Sequence, residues 1–303
     1  MSDKECSGSG HEKPTVLLVI GMAGSGKTSL IHRIQTHIEE NEKEGYILNL
    51  DPAVLKVPYE PNVDIRDTVN YKNVMKQYNL GPNGGILTAL NLFATRFDQV
   101  VALCEKPRDP PLQYVIADTP GQIEIFTWSA SGAIISEAFA SEFPTVIAYV
   151  VDTPRCSSPQ TFIANMLQAC SIIYKTRLPM VLVFNKIDVC HHSFATEWMK
   201  DFDAFASALD ADPSFSASFS RSLSLVLEKF YENIPHVGVS AATGEGMSDL
   251  FKTVDRCKEE YKKEYLPYLE ERKKARQYAE DAKKQSDLEK LQHDIKNASI
   301  FSE

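Results

Sequence analysis

Eight residues, Gly21-Met22-Ala23-Gly24-Ser25-Gly26-Lys27-Thr28, fit the pattern G-x-x-x-x-G-K-[ST]. Glycines in such a turn let backbone N–H groups face inward around phosphate oxygens. The stretch from Ser29 to Glu40 reads as a helix, and its positive dipole end would add to that cradle. Gly24, Ser25 and Gly26 form the loop, Lys27 can reach the β- and γ-phosphates, and Ser29 is the next polar contact. The Thr28 hydroxyl can bind Mg2+. The loop alone specifies a nucleoside triphosphate and leaves the base open. Asn185-Lys186-Ile187-Asp188 closes that gap. The Asp188 carboxylate can accept from guanine N1–H and N2–H2, donors that adenine lacks in that geometry. The Asn185 amide can meet N7 and brace the phosphate loop, while the Lys186 stem can lie over the base. Ser240-Ala241 fits a shorter motif of the same kind, with the Ala241 N–H aimed at guanine O6.

A third group points to switching and hydrolysis. Asp118-Thr119-Pro120-Gly121-Gln122 carries the Asp-x-x-Gly signature. Asp118 would hold the Mg2+ shell through water, and the Gly121 N–H would sense the γ-phosphate. Gln122 or Glu124 could orient the attacking water. Asp51, before Pro52-Ala53, could bind Mg2+ through water or help place the nucleophile, or simply serve as a helix cap or turn former. Asp67 is at least as well read as a helix cap as a switch residue.

The elements that must position these groups follow from apolar runs. Val16–Ile20, Tyr46–Leu50, Tyr114–Ala117, Val146–Val151, Met180–Phe184 and the shorter Val237–Val239 each read as a buried strand. Polar residues follow them: Asp51, Asp118, Asp152, Asn185 and Ser240. Helical patterns lie between. This alternation predicts an α/β chain of the P-loop NTPase type, an open, mostly parallel sheet with helices on both faces and ligands at the carboxyl edge. Helical insertions are expected at about 67–106 and 193–233. The first reads as two helices, 67–80 and 86–106, around Gly81-Pro82-Asn83-Gly84-Gly85; the second is split by the Ser-rich stretch 213–222. Residues 1–14 read as a flexible leader, 15–260 as the nucleotide domain, and 261–303 as a charged helical tail, partly ordered.

The bulk properties narrow the class. The 303 residues carry a net charge of −9, which argues against a nucleic-acid surface as the main function. No run of about 18 apolar residues is present. Cys6, Cys104, Cys156, Cys170, Cys190 and Cys257 are scattered without a C-x-x-C pair, as suits reduced thiols in a cytosolic or nuclear protein.

Taken with the phosphate loop, Asp51-Pro52-Ala53, Asp118 to Glu124 and Asn185 to Asp188, the triplet Gly81-Pro82-Asn83 resembles that of the GPN-loop GTPases. The likeness runs to about residue 260. Among the three eukaryotic paralogues it is strongest to the first and longest, through Gly21-Met22-Ala23-Gly24, the segment Phe126 to Gly132 and the charged extension past Lys258. The resemblance implies a Mg2+-dependent conversion of GTP to GDP by a homodimer, or by a heterodimer with a sister paralogue. It also implies that Asn83 reaches toward the partner's γ-phosphate. It further implies a role in assembly and nuclear import of RNA polymerase II, through its subunits or assembly factors, by a cytoplasmic protein that shuttles to the nucleus. No residue reads as an arginine finger: Arg66, Arg96 and Arg155 qualify by charge alone, and each is better read as structural. Two other readings remain: a GTP-gated binding module with negligible turnover, and an ATPase of the related dimeric P-loop group. The latter carries an extra Lys near the start of the loop, where this chain has Gly21-Met22.

Overall fold

Strand β1, Thr15–Gly21, is buried along its whole length. A strand buried on both faces needs neighbours on both edges and helices on both sides. The computed structural model, which describes residues 13–210 and 234–300, supplies them. Around β1 run β2 (Gly45–Asn49), β3 (Val63–Asp64), β4 (Tyr114–Asp118), β5 (Thr145–Asp152), β6 (Met180–Asn185) and β7 (His236–Val239), in the order β3-β2-β4-β1-β5-β6-β7. All pairings are parallel, so every carboxyl end lies on one edge. The chain leaves β1 for one side of the sheet and later returns to the other. That makes the crevice above β1 the topological switch point, where ligands bind in such sheets.

One face of the sheet is covered by helix α1 (Lys27–Glu40). Its Leu30, Ile31, Ile34 and Ile38 recur at helical spacing. They pack in one cluster with Leu17, Val19, Ile47, Ile116, Val146, Ala148 and Val150 of the sheet. The same cluster includes Leu250, Phe251 and Val254 of a later helix, Met247–Glu260. Phe251 stacks on His37 of α1 at 5.1 Å and meets Tyr114 of β4 edge-on at 5.0 Å. The alternate residues Val16, Leu18 and Ile20 are equally buried on the opposite face.

Three expectations change. The sheet gains the two-residue strand β3, too short for periodicity to reveal. The first insertion is not two helices around a free loop. It comprises α2 (Ile65–Thr68), α3 (Tyr71–Gln77), α4 (Pro82–Ala94) and α5 (Phe97–Glu105). Pro82 and Asn83 form the first turn of α4, with Gly81 at its N-cap. A proline is favoured there because its missing N–H has no partner to lose. The stretch 86–106 breaks between Ala94 and Phe97, and Phe97 packs edge-on against Phe139 at 4.9 Å.

The chain between the two insertions adds α6 (Ile123–Thr127), α7 (Ala130–Glu142), α8 (Thr153–Cys156) and α9 (Pro159–Thr176). In the second insertion, α10 (Ser193–Lys200) and α11 (Phe202–Asp210) meet at Asp201, whose Oδ1 accepts from the Asp203 and Ala204 N–H groups as a helix cap. The split expected at 213–222 lies outside the described residues, as does most of the expected leader. Met247–Glu260 is α12.

The described residues divide into two units between Tyr261 and Lys262. In the second, Leu266–Ile300 is one long helix, exposed over most of its described length. Cys104, Cys156, Cys170, Cys190 and Cys257 are free thiols. No single helix among the described residues is long and apolar enough to cross a membrane.

Candidate active site

The phosphate loop joins the end of β1 to the start of α1. Gly24 and Gly26 have φ of +82° and +88°, where a side chain is strained. Gly26 is also crowded: a Cβ there would lie 2.5 Å from Asn185 Nδ2. Lys27 is buried and folds back over the loop, donating to the carbonyls of Gly21 at 2.8 Å and Met22 at 3.1 Å. Burial lowers its pKa, and the charges of Asp118 and Asp51 oppose that shift. Ser29 is exposed in the first turn of α1.

Asp118 ends β4 beside β1, in register with Val19. Its Oδ2 accepts from the Thr28 hydroxyl at 3.2 Å and from the Tyr59 hydroxyl at 2.7 Å. Its Oδ1 is buried and, among the described residues, accepts from no donor. Burial pushes the carboxyl up to about 6, against the Tyr59 hydrogen bond and the Lys27 charge. This donor set fits Mg2+. Thr28 gives its proton to Asp118 and keeps its lone pairs open, and Oδ1 is an unpaired acceptor for a metal-bound water. Asp51 does two things at once. Its Oδ1 accepts from the Ala53 N–H at 2.9 Å, as a turn former does, and its Oδ2 accepts from the Gly121 N–H at 3.3 Å. Gln122 and Glu124, at the start of α6, are exposed.

The base-reading motif sits at the end of β6. Asn185 Nδ2 donates to the Ser25 carbonyl at 3.0 Å, and its Oδ1 accepts from the N–H groups of Lys186 at 2.8 Å and Ala241 at 3.1 Å. One side chain therefore ties the phosphate loop to the loop after β7. Lys186, at φ +68°, donates to the Gly24 carbonyl at 2.9 Å and to Asp152 at 2.7 Å. Asp188 accepts from the Ser240 hydroxyl at 2.6 Å and is otherwise exposed. Asn83 is exposed in the first turn of α4 and takes no part, among the described residues, in the bonded cluster around Lys27 and Asp118. Of the three arginines, Arg66 is held by Asp64 at 2.6 Å, and Asp64, not Asp67, caps α2. Arg155 lies beside Gly24, its Nη1 3.6 Å from where a Cβ would stand.

A family model described as "conserved hypothetical ATP binding protein" matches residues 19–260. GPN-loop GTPase 1 of Dictyostelium discoideum is 56% identical over 287 residues, 95% of this chain and 72% of that protein. GPN-loop GTPase 1 of Saccharomyces cerevisiae is 50% identical over 291 residues, 93% of this chain and 75% of that protein. The chain belongs to the GPN-loop GTPase family. A solved structure of a GTPase in apo form from Pyrococcus abyssi matches with a TM-score of 0.70 at 25% identity, over 81% of this chain and 98% of that one. Both relatives carry the first paralogue's name, the branch that the sequence resembles. The family model's description names ATP, whereas both relatives are named as GTPases.

Sequence reasoning missed Tyr59 and the bracing role of Asp152. Nothing in the pattern around Tyr59 marks it, since its partner is distant in sequence. Asp152 did leave a signal, as one more polar residue at a strand's carboxyl end.

Proposed function

We propose that this GTPase converts GTP to GDP and phosphate in a Mg2+-dependent site and works as a homodimer, or as a heterodimer with a sister paralogue. The observation that carries the hydrolytic reading is the cluster of Lys27, Thr28 and Asp118 at the switch point, braced from the far side by Asn185. Thr28 and Asp118 would hold the cation, which supplies charge neutralisation at the phosphate oxygens. Lys27 would exchange its two loop carbonyls for phosphate oxygens. The Gly121 N–H would leave Asp51 for the γ-phosphate, and Asp51 would then be free to orient water with Gln122 or Glu124.

The dimer, the reach of Asn83 to the partner's γ-phosphate, and a nucleotide-gated role in assembly and import of RNA polymerase II rest on the family resemblance. So does residence in the cytoplasm with passage to the nucleus. The exposed position of Asn83 at a helix start suits a residue that acts on another subunit. Turnover per chain should rise with protein concentration, and Asn83→Ala should lower it by tenfold or more, about 1.4 kcal/mol. Unchanged turnover and nucleotide affinity in Asn83→Ala would remove that role. A second reading, a GTP-gated binding module with slow turnover, is favoured by the exposure of Gln122 and Glu124. Equal client affinity in the GTP and GDP states would rule it out.

A further inference from the structure

Tyr59 lies on the segment between β2 and β3, and it is 4% exposed within the core cluster that includes α1 and β4. An apolar pocket explains the ring but not the hydroxyl. That hydroxyl donates to Asp118 Oδ2 at 2.7 Å, the same oxygen that takes the Thr28 hydroxyl at 3.2 Å. Two donors on one oxygen fix the rotation of the carboxylate and leave Oδ1 buried without a partner among the described residues. We propose that Tyr59 is a positioning residue for the metal site: its hydroxyl holds Asp118 so that Oδ1 is the oxygen left to accept from a metal-bound water. Partners of this kind orient the groups that hold a metal and tune its affinity.

The placement also gives the metal site a link to the chain around it. The segment that carries Tyr59 carries Asp51, whose Oδ2 takes the Gly121 N–H at 3.3 Å. Two of this segment's side chains therefore bond to Asp118–Gly121, Tyr59 at the metal aspartate and Asp51 at the γ-phosphate sensor, beside the backbone bond from the Leu50 N–H to the Asp118 carbonyl at 2.9 Å. Tyr59 makes the metal site sensitive to where that segment stands.

This inference rests on the Mg2+–GTP reading, and one experiment separates the two. The full chain is loaded with a fluorescent GDP analogue, and its release is followed across a Mg2+ titration. Tyr59→Phe keeps the ring and removes the hydroxyl. The Mg2+ concentration for half-maximal slowing should rise about tenfold or more, with release in EDTA unchanged. Wild-type release that ignores Mg2+ overturns the parent reading. Mg2+-dependent wild-type release with the same midpoint in Tyr59→Phe overturns the role of Tyr59 alone. Should the variant fail to fold, wild-type protein labelled at the tyrosine ring carbon bearing the hydroxyl gives a second readout. A tyrosine resonance should shift at the Mg2+ midpoint, and no shift in any tyrosine overturns the proposal.

Discussion

Replacing Asn185 by Ala tests whether the base-reading motif is also a structural brace. Asn185 is 1% exposed, and its amide makes one bond to the phosphate loop and accepts two, from Lys186 and Ala241. At about 1 kcal/mol for each bond, with the Ser25 carbonyl and the Ala241 N–H left without this partner, the loss is about 3 kcal/mol. For a domain of this size that lowers the melting temperature by roughly 6–12 °C. The assay is a thermal melt of nucleotide-free protein, repeated with GDP. A nucleotide-free melt that stays in place while GDP affinity collapses would refute the brace, since Asn185 would then act on the base alone.

Asp188→Asn should shift preference from GTP toward xanthosine triphosphate, read by competition binding; unaltered base choice would count against guanine reading. The Asp118 carboxyl gives a pH signature in the metal-free protein. Its native value, about 6, lies above the ordinary 3.8, so the folded state holds an extra proton between them. Stability from this group is therefore greatest at low pH and falls as pH rises from about 4 to 6, by about 3 kcal/mol. Denaturant melts should show that fall flattened in Asp118→Asn, and parallel curves for the two proteins would contradict it.

The strands were legible because burial on both faces leaves continuous apolar runs such as Val16–Ile20, and the parallel order places their ends on one edge. The phosphate loop was legible because its glycines and Lys27 are local in sequence. Contacts across the sheet were not. Tyr59 reaches Asp118 over 59 residues, and no local pattern encodes that meeting. The helix start at Pro82 was readable in principle from proline at a first helical position, but the glycines on either side favour a loop reading. The break between Ala94 and Phe97 carries no glycine or proline to mark it, and the packing of Phe97 against Phe139 beyond it is tertiary.

The central claim is a guanine-specific, metal-dependent hydrolase. Phosphate release by the purified chain from GTP and from ATP, each with Mg2+ and with EDTA, tests it most directly. Release is expected from GTP with Mg2+, with little from ATP and none in EDTA. Equal release from the two nucleotides, or release from GTP that survives EDTA, would contradict it.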